Sequence, residues 1–193
     1  MSPVTHFLVS WMVANSAKLE RKERALVTLA GVAPDLDGLG IVPEWLTRNS
    51  AHPVRWFSEY HHTLGHNLGF ALVVTAAGYL IASQGVKLKA ALLVFLSFHL
   101  HLLCDLVGAR GPDGEQWPIP YLAPFSQAWQ WSWHGQWALN AWPNFVITIA
   151  ALAVTFYLAW KRGFSPLETF SRKADTIFVT TLRNRFPAKT VVA

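Results

Sequence analysis

Five apolar stretches alternate with polar connections along the 193 residues of the chain. The most continuous stretch, from Lys89 to Leu106, carries no charge between its first residue and Asp105. A helix of that length crosses most of the hydrocarbon core of a bilayer. The pattern therefore predicts an all-α fold, a multi-helix integral membrane bundle of about five helices. The predicted helices cover residues 3–17, 25–42, 68–83, 89–106 and 143–160.

The polar connections between these stretches have their own signatures. Pro34 disfavours a helical residue before it and lacks a backbone donor, so the second helix is expected to end or kink there. The charged run 18–24 is expected to stay in water. Five tryptophans between residues 129 and 142 resemble an aromatic belt at a membrane interface.

Composition and charge agree with a membrane protein. Hydrophobic residues make up 52% of the chain and charged residues 14%, against roughly 25% charged in soluble domains. The net charge of +5 comes from basic residues in short connections and in the tail. This distribution is typical of the loops of a membrane protein and not of a continuous basic surface that binds nucleic acid. No nucleic-acid partner is therefore expected.

The tail after residue 162 differs from the apolar part of the chain. The run from Ser165 to Glu168 fits a capping box with proline at the first helical position. Apolar residues then recur at helical spacing opposite basic ones, which predicts a C-terminal amphipathic helix on an anionic leaflet. A contact helix in an oligomer is the alternative. The predicted division is a membrane-embedded metal-site helical domain, 1–162, and an amphipathic basic tail, 163–193.

Ionisable residues stand near the end of the longest apolar stretch. His101 and Asp105 are four residues apart and share one face of a helix, whereas His99 lies roughly 200° around the axis from His101. An imidazole and a carboxylate one turn apart form a common pair of metal ligands. Ionisable residues inside apolar spans are costly and indicate function. The alternative is that Asp105 only hydrogen-bonds a neighbouring helix.

Two further polar groups lie at the ends of predicted helices. Asp35 and Asp37 follow the second helix in a turn, where aspartate before glycine is also ordinary turn chemistry. His61, His62 and His66 precede the third helix. Histidine is neither a strong helix former nor a typical core residue, so three of them within six residues favour a site over an interfacial polar cap.

The loop charges indicate where these groups meet. The positive-inside rule assigns the basic run 18–24, Lys87 with Lys89, and the tail to the cytoplasm. Five helices that alternate in direction then place six candidate ligands at the non-cytoplasmic end of the bundle. The assignment of sides used only lysine and arginine residues, so the convergence of these ligands is an independent result. These predicted metal ligands are His6, Asp35, His61, His66, His101 and Asp105.

Mixed imidazole and carboxylate ligands suit zinc, or manganese or iron where carboxylates dominate. The reaction that fits such a divalent-metal site is attack of a metal-activated water on a phosphoester or lipid-like substrate in the bilayer. Asp35 or Asp37 is expected to act as a ligand or as the general base, and the predicted catalytic residues are Asp37 and His62. A non-enzymatic membrane metal-binding or transport protein is the alternative.

Four motifs resemble those of the YdjM-like family of bacterial inner-membrane metal-dependent hydrolases. They are Thr5–His6, APDLD at 33–37, HHTLGHN at 61–67 and HLLCD at 101–105. The resemblance implies a multi-pass protein of the inner membrane, with Asp37 in the site beside the six predicted ligands. His62 and Gly65 depart from the family's usual arginine and threonine. A more distant likeness is to zinc-dependent phospholipase C, which also uses helix-borne histidine and aspartate ligands.

Overall fold

The computed structural model describes residues 1–111 and 114–187. Within these residues the fold contains eight α-helices, two 3-10 segments and no β-strand, which confirms the all-α prediction there. Asp113 and residues 188–193, which the sequence predicts as part of an outer loop and of the tail, lie outside the described residues. The helices are α1 (Pro3–Ala14), α2 (Arg21–Ala30), α3 (Ile41–Thr47), α4 (Trp56–Tyr60), α5 (Leu68–Ile81), α6 (Lys87–Gly108), α7 (Trp142–Arg162) and α8 (Arg172–Arg185).

Within the residues that the structure describes, only α6 and α7, of 22 and 21 residues, are individually long and apolar enough to cross a membrane. A third span exists if α2 and the segment Pro34–Thr47, bent by 56° at the break between them, count as one. Helices α1 and α5 have 12 and 14 residues, and 14 residues rise only about 21 Å. Helices stand in all five predicted regions, but a bundle of five membrane-crossing helices is not confirmed.

The break after α2 carries two of the candidate site residues. Helix α2 ends at Ala30, and a 3-10 segment, Pro34–Gly40, continues in a new direction. Pro34 at the start of that segment has no backbone donor to extend α2, which agrees with the predicted end or kink. The bend turns Asp35 and Asp37 away from the α2 axis.

Helix α6 is the central element and packs against α1, α2 and α5. Its buried positions recur every three or four residues, as expected for one face of a helix. The apolar part of this face includes Val94, Phe98 and Leu102, each at most 1% exposed. His101 and Asp105 belong to the same buried face, so the packing of the core brings them inside the protein.

The charged run 18–24 is not wholly in water, contrary to the prediction. Helix α2 begins within it, and the fully buried Glu23 accepts a hydrogen bond of 2.9 Å from the backbone N–H of Ser83. Arg24 donates from Nε and Nη2 to the two carboxylate oxygens of Glu168, at 2.7 and 2.6 Å. A charge inside the fold is tolerable because it is paired in this way.

The tail consequently packs on the bundle rather than forming one separate amphipathic helix. Glu168 is engaged by Arg24 and does not close a capping box, although the Ser165 hydroxyl accepts from the Leu167 N–H. A 3-10 segment, Pro166–Thr169, ends there and α8 starts anew at Arg172. The predicted single helix over 165–183 was therefore wrong in its continuity.

We expect Glu168→Gln to loosen the tail. The substitution keeps the shape of the side chain but leaves the largely buried Arg24 guanidinium without its counter-charge, which costs about 2 kcal/mol. The melting temperature of the detergent-purified protein should fall by about 5 °C. Glu115→Gln, a change of the same kind at an exposed carboxylate, is the matched control. An equal melting temperature for Glu168→Gln and wild type would contradict this role for the ion pair.

Candidate metal centre

Four side chains from three parts of the chain meet beside α6. Asp35, His66, His101 and Asp105 each offer a ligand atom, and these atoms lie within 4.8 Å of one another. His101 Nε2 is 3.0 Å from Asp105 Oδ2 and 3.1 Å from His66 Nε2. Asp35 Oδ1 is 3.7 Å from His101 Nε2. This group, called the metal cluster below, could hold a metal ion.

The orientation of the two histidines leaves one nitrogen of each facing the cluster. His101 Nδ1 donates to the carbonyl oxygen of Gly31 at 2.8 Å, so its Nε2 carries the lone pair when the ring is neutral. His66 Nδ1 lies 3.2 Å from Asp37 Oδ2 and has the same arrangement. Metal-ligating histidines usually donate their second N–H to a carbonyl or carboxylate in this way.

The contact with Gly31 depends on a close approach of two helices. A β-carbon at Gly31 would lie 1.6 Å from the hydroxyl oxygen of Ser10 on α1. Glycine is therefore required where α2 ends against α1, and the carbonyl that orients His101 belongs to this tightly packed residue. The sequence shows Gly31 near the end of an apolar stretch, but nothing in it marks the carbonyl as part of a site.

His6 adjoins the cluster without belonging to the four-donor group. Its Nε2 is 3.1 Å from Asp105 Oδ1, and its ring stacks on that of His101 with centroids 3.7 Å apart. The N-terminal ammonium group of Met1 also contacts Asp105 Oδ1. His6 Nδ1 is buried and has no partner among the described residues. His6 thus stands beside the cluster, and its role as a ligand stays a prediction.

Asp37 contacts His66 of the metal cluster, and His61 contacts Asp37. These two residues are called the second row below. Asp37 Oδ1 accepts from His61 Nδ1 at 2.8 Å, and its Oδ2 accepts from the Gly65 N–H at 2.8 Å and faces His66. His61 is therefore bound to Asp37 and lies outside the four-donor group. Its predicted role as a ligand and the catalytic role predicted for Asp37 are not tested by this geometry.

Gly65 explains how that second row fits together. A β-carbon at this position would lie 2.1 Å from the carbonyl oxygen of Pro34. Glycine allows the backbone carrying the histidines to approach the 3-10 segment closely enough for its N–H to reach Asp37. The close approach of the two segments therefore requires glycine at position 65.

His62 has an unusual backbone and an unpaired nitrogen. Its φ is 69°, a left-handed value that costs a residue with a β-carbon roughly 1 kcal/mol or more. The side chain is 6% exposed and stacks on the His66 ring, with centroids 4.3 Å apart. His62 Nδ1 is buried with no partner among the described residues. The sequence indicates its chemistry but not this strained conformation.

The pKa values of His62 and His66 are shifted in opposite directions. Burial, together with the nearby charge of His66, holds the pKa of His62 well below its usual value, so its ring is neutral. Burial would lower the pKa of His66 as well, but hydrogen bonds and charges from Asp105 and Asp37 raise it to about 9. A cation binding at His66 Nε2 would have to displace a proton from that ring.

Two other histidines lie away from the cluster. His99 bonds the Phe95 carbonyl oxygen through Nδ1, at 2.8 Å, and lies 2.9 Å from the Tyr121 hydroxyl through Nε2. It occupies a different face of α6 from His101, as the helical spacing predicts. His134 is exposed in the loop before α7.

Two cavities adjoin this centre. The first, called the apolar cavity, has a volume of about 300 Å³, reaches Asp35 and Asp105, and is otherwise lined largely by apolar residues such as Leu39 and Leu139. The second, called the polar cavity, has a volume of about 460 Å³. The two cavities share the residues Phe57, His61, His62 and Trp117.

The fold and the centre together define a helical membrane protein with a buried histidine and aspartate cluster. The family model of the YdjM inner membrane protein matches residues 1–173, so the chain belongs to that family. The match confirms the family resemblance and extends beyond the four motifs into the tail. No curated protein and no solved structure matches the chain, and the likeness to phospholipase C is not shown.

We expect Asp105→Asn to lose bound metal. The amide keeps the shape of the side chain but removes a ligand charge that stands between three imidazoles. Metal analysis of the detergent-purified protein should find less than about one tenth of the wild-type content, as for loss of a direct ligand. His99→Ala, on another face of the same helix, should keep its metal. Retention of metal by Asp105→Asn would exclude the cluster as the metal site.

Proposed function

We propose that this protein is a membrane-bound metal-dependent hydrolase that acts on a phosphoester or lipid-like substrate. The observation that carries the proposal is that the apolar cavity reaches Asp35 and Asp105, two members of the metal cluster. A closed structural site has no such access, whereas a catalytic site keeps a position open for water or substrate.

The donor set suits zinc best. Ligand atoms at about 2.0–2.1 Å from a tetrahedral zinc lie about 3.3 Å from one another. Several separations in the cluster, between 3.0 and 3.7 Å, come close to that value. The buried Asp35 Oδ2 has no partner among the described residues, as expected of an atom that awaits a cation or its water. Manganese or iron would use the same carboxylates.

The bound cation would polarise the scissile group and lower the pKa of a water molecule. The protein itself supplies orientation and proton transfer. The His62 ring is neutral and its Nδ1 has no partner among the described residues, so it can accept a proton from the attacking water and return it to the leaving group. Asp37 has both oxygens engaged by histidines and the Gly65 N–H, so we assign it a positioning role. The catalytic role predicted for Asp37 from the sequence stays a prediction, and the positioning role is the one that this proposal uses.

The surroundings favour a substrate with an apolar part. Besides the two carboxylates and the shared histidines, the lining of the apolar cavity is largely apolar and aromatic. A small charged phosphoester would leave most of that lining in contact with water. A lipid-like ester delivered from the bilayer would cover it, which is favourable by about 25 cal/mol for each Å² of apolar surface buried.

We further propose that the protein spans the inner membrane several times with its site on the non-cytoplasmic side. Lys18, Arg24 and Arg162 line one common cavity, together with Val86 at the start of α6. His101 lies fifteen residues after Val86, a rise of about 22 Å. The positive-inside rule assigns the basic end to the cytoplasm, so the metal cluster lies towards the opposite side.

Hydrolysis can be tested with the zinc-loaded protein in detergent. We expect release of the leaving group from phospholipid and from a chromogenic phosphodiester, with Asp105→Asn inactive. His62→Asn should lower kcat by about a hundredfold, because asparagine tolerates the left-handed backbone but cannot carry the proton. His99→Ala should retain wild-type activity. A fully metal-loaded protein that hydrolyses no ester would favour the non-enzymatic metal-binding or transport alternative.

The orientation has a separate test. A reporter fused after Arg162 should have the activity expected in the cytoplasm, and one inserted at Gly114 the activity expected outside it. The opposite pattern, obtained with both fusions stably inserted, would contradict the proposed side of the site.

A further inference from the structure

The polar cavity is unused by the chemistry proposed above, although it shares a wall with the apolar cavity. Its volume of about 460 Å³ is within the range of small-molecule sites. Its lining has two carboxylates, from Glu59 and Glu115, and two carboxamides, from Gln127 and Gln130. This composition contrasts with the largely apolar lining next to the metal cluster.

The charge of the polar cavity has one sign. No lysine or arginine is among the described residues that line it, in a protein whose net charge is +5. Two carboxylates without a lining cation disfavour a negatively charged ligand group and favour a positive one. Two carboxylates on an open surface would be unremarkable, but these two line a cavity that shares four residues with the cavity next to the metal cluster.

Trp117 contributes an aromatic surface to the same cavity. Its ring packs edge-on against His61 and His62, with centroids 5.6 and 4.8 Å apart. Among the aromatic side chains tryptophan attracts cations most strongly, and recognition of quaternary ammonium groups commonly combines such rings with carboxylates. The indole is therefore a suitable partner for a ligand amine.

His62 supplies independent support for a ligand here. It is 6% exposed, lines both cavities, and has a buried Nδ1 with no partner among the described residues. An unpaired buried nitrogen costs free energy that a ligand atom would recover. Its left-handed backbone adds local strain, which commonly accumulates at ligand-binding sites.

We propose that the polar cavity binds a cationic amine headgroup of an amphiphilic substrate whose apolar part occupies the apolar cavity. The ester to be cleaved then lies at the shared wall, beside His62 and within reach of the metal cluster. This inference rests on the proposed function for the reaction, but the binding preference itself requires no hydrolysis. The chemical class is a zwitterionic lipid with an ethanolamine or choline headgroup.

The test measures lipid binding to the full chain in detergent by native mass spectrometry. Lipids with identical acyl chains and three headgroups are compared: phosphatidylethanolamine, phosphatidylglycerol and an uncharged glucosyl group. We expect the ethanolamine lipid to bind about fivefold more tightly than either of the others, as one cation–π contact and two exposed carboxylates allow.

Matched variants separate the cavity from general charge effects. Glu59→Gln and Glu115→Gln each remove one carboxylate from the cavity and should reduce the preference by about twofold or more. Glu20→Gln makes the same charge change at the other end of the bundle and should leave the preference intact. Equal or tighter binding of phosphatidylglycerol, or of the sugar lipid, overturns the inference. A preference that both cavity variants retain also overturns it.

The Asp105→Asn variant distinguishes this inference from the proposed function. A headgroup preference in this variant, together with no hydrolysis by the zinc-loaded wild type, contradicts the hydrolase and supports the headgroup site. Hydrolysis by the wild type with no headgroup preference supports the hydrolase and overturns the inference.

Discussion

The carboxylate of Asp105 is almost completely buried near the end of the longest apolar helix, and much of the molecule is arranged around it. An isolated buried carboxylate would cost several kcal/mol, so its partners have to be in place for the fold to be stable. They come from different segments: His6 from α1, His66 from the residues before α5, and His101 from one turn earlier on α6. Satisfying one charge thus requires three segments to pack correctly.

The second row of contacts extends this constraint to the bend after α2. Asp37 holds His61 and His66, and it can do so because the Pro34 carbonyl and Gly65 are in close contact. The position of the bend is therefore coupled to the orientation of a candidate metal ligand. In its described part the protein has two or three helices long enough to span a membrane, and the shorter helices depend on such coupling because they are not stable on their own.

Helical spacing made part of this arrangement predictable from the sequence. The four-residue interval placed His101 with Asp105 and set His99 apart, and Pro34 indicated the break in the second helix. Loop charges brought the remaining candidates to one end. The roles of the individual residues at that end could not be predicted, because whether a carboxylate such as Asp37 faces a cation or a histidine depends on side-chain positions that helical spacing does not determine.

In the tail and in the basic run 18–24, local sequence patterns did not predict the structure, because long-range contacts determine it there. Glu168 fits a capping box by its spacing, yet it pairs with Arg24, a residue 144 positions away. Local propensity could not anticipate that partner, since a long-range ion pair competes with a local hydrogen bond of similar strength. The left-handed backbone of His62 was hidden for a similar reason, because tertiary contacts hold it there against its own preference.

Gly31 has two roles, one in the packing of two helices and one in the orientation of a candidate metal ligand. Its missing side chain lets α2 end against Ser10 of α1, and its carbonyl holds the His101 ring. A shift of these two helices relative to each other would move the carbonyl that orients a candidate ligand without touching any residue of the cluster. The orientation of the His101 imidazole therefore depends on the distance between α1 and α2. A change in that distance would reach the imidazole through the backbone carbonyl of Gly31.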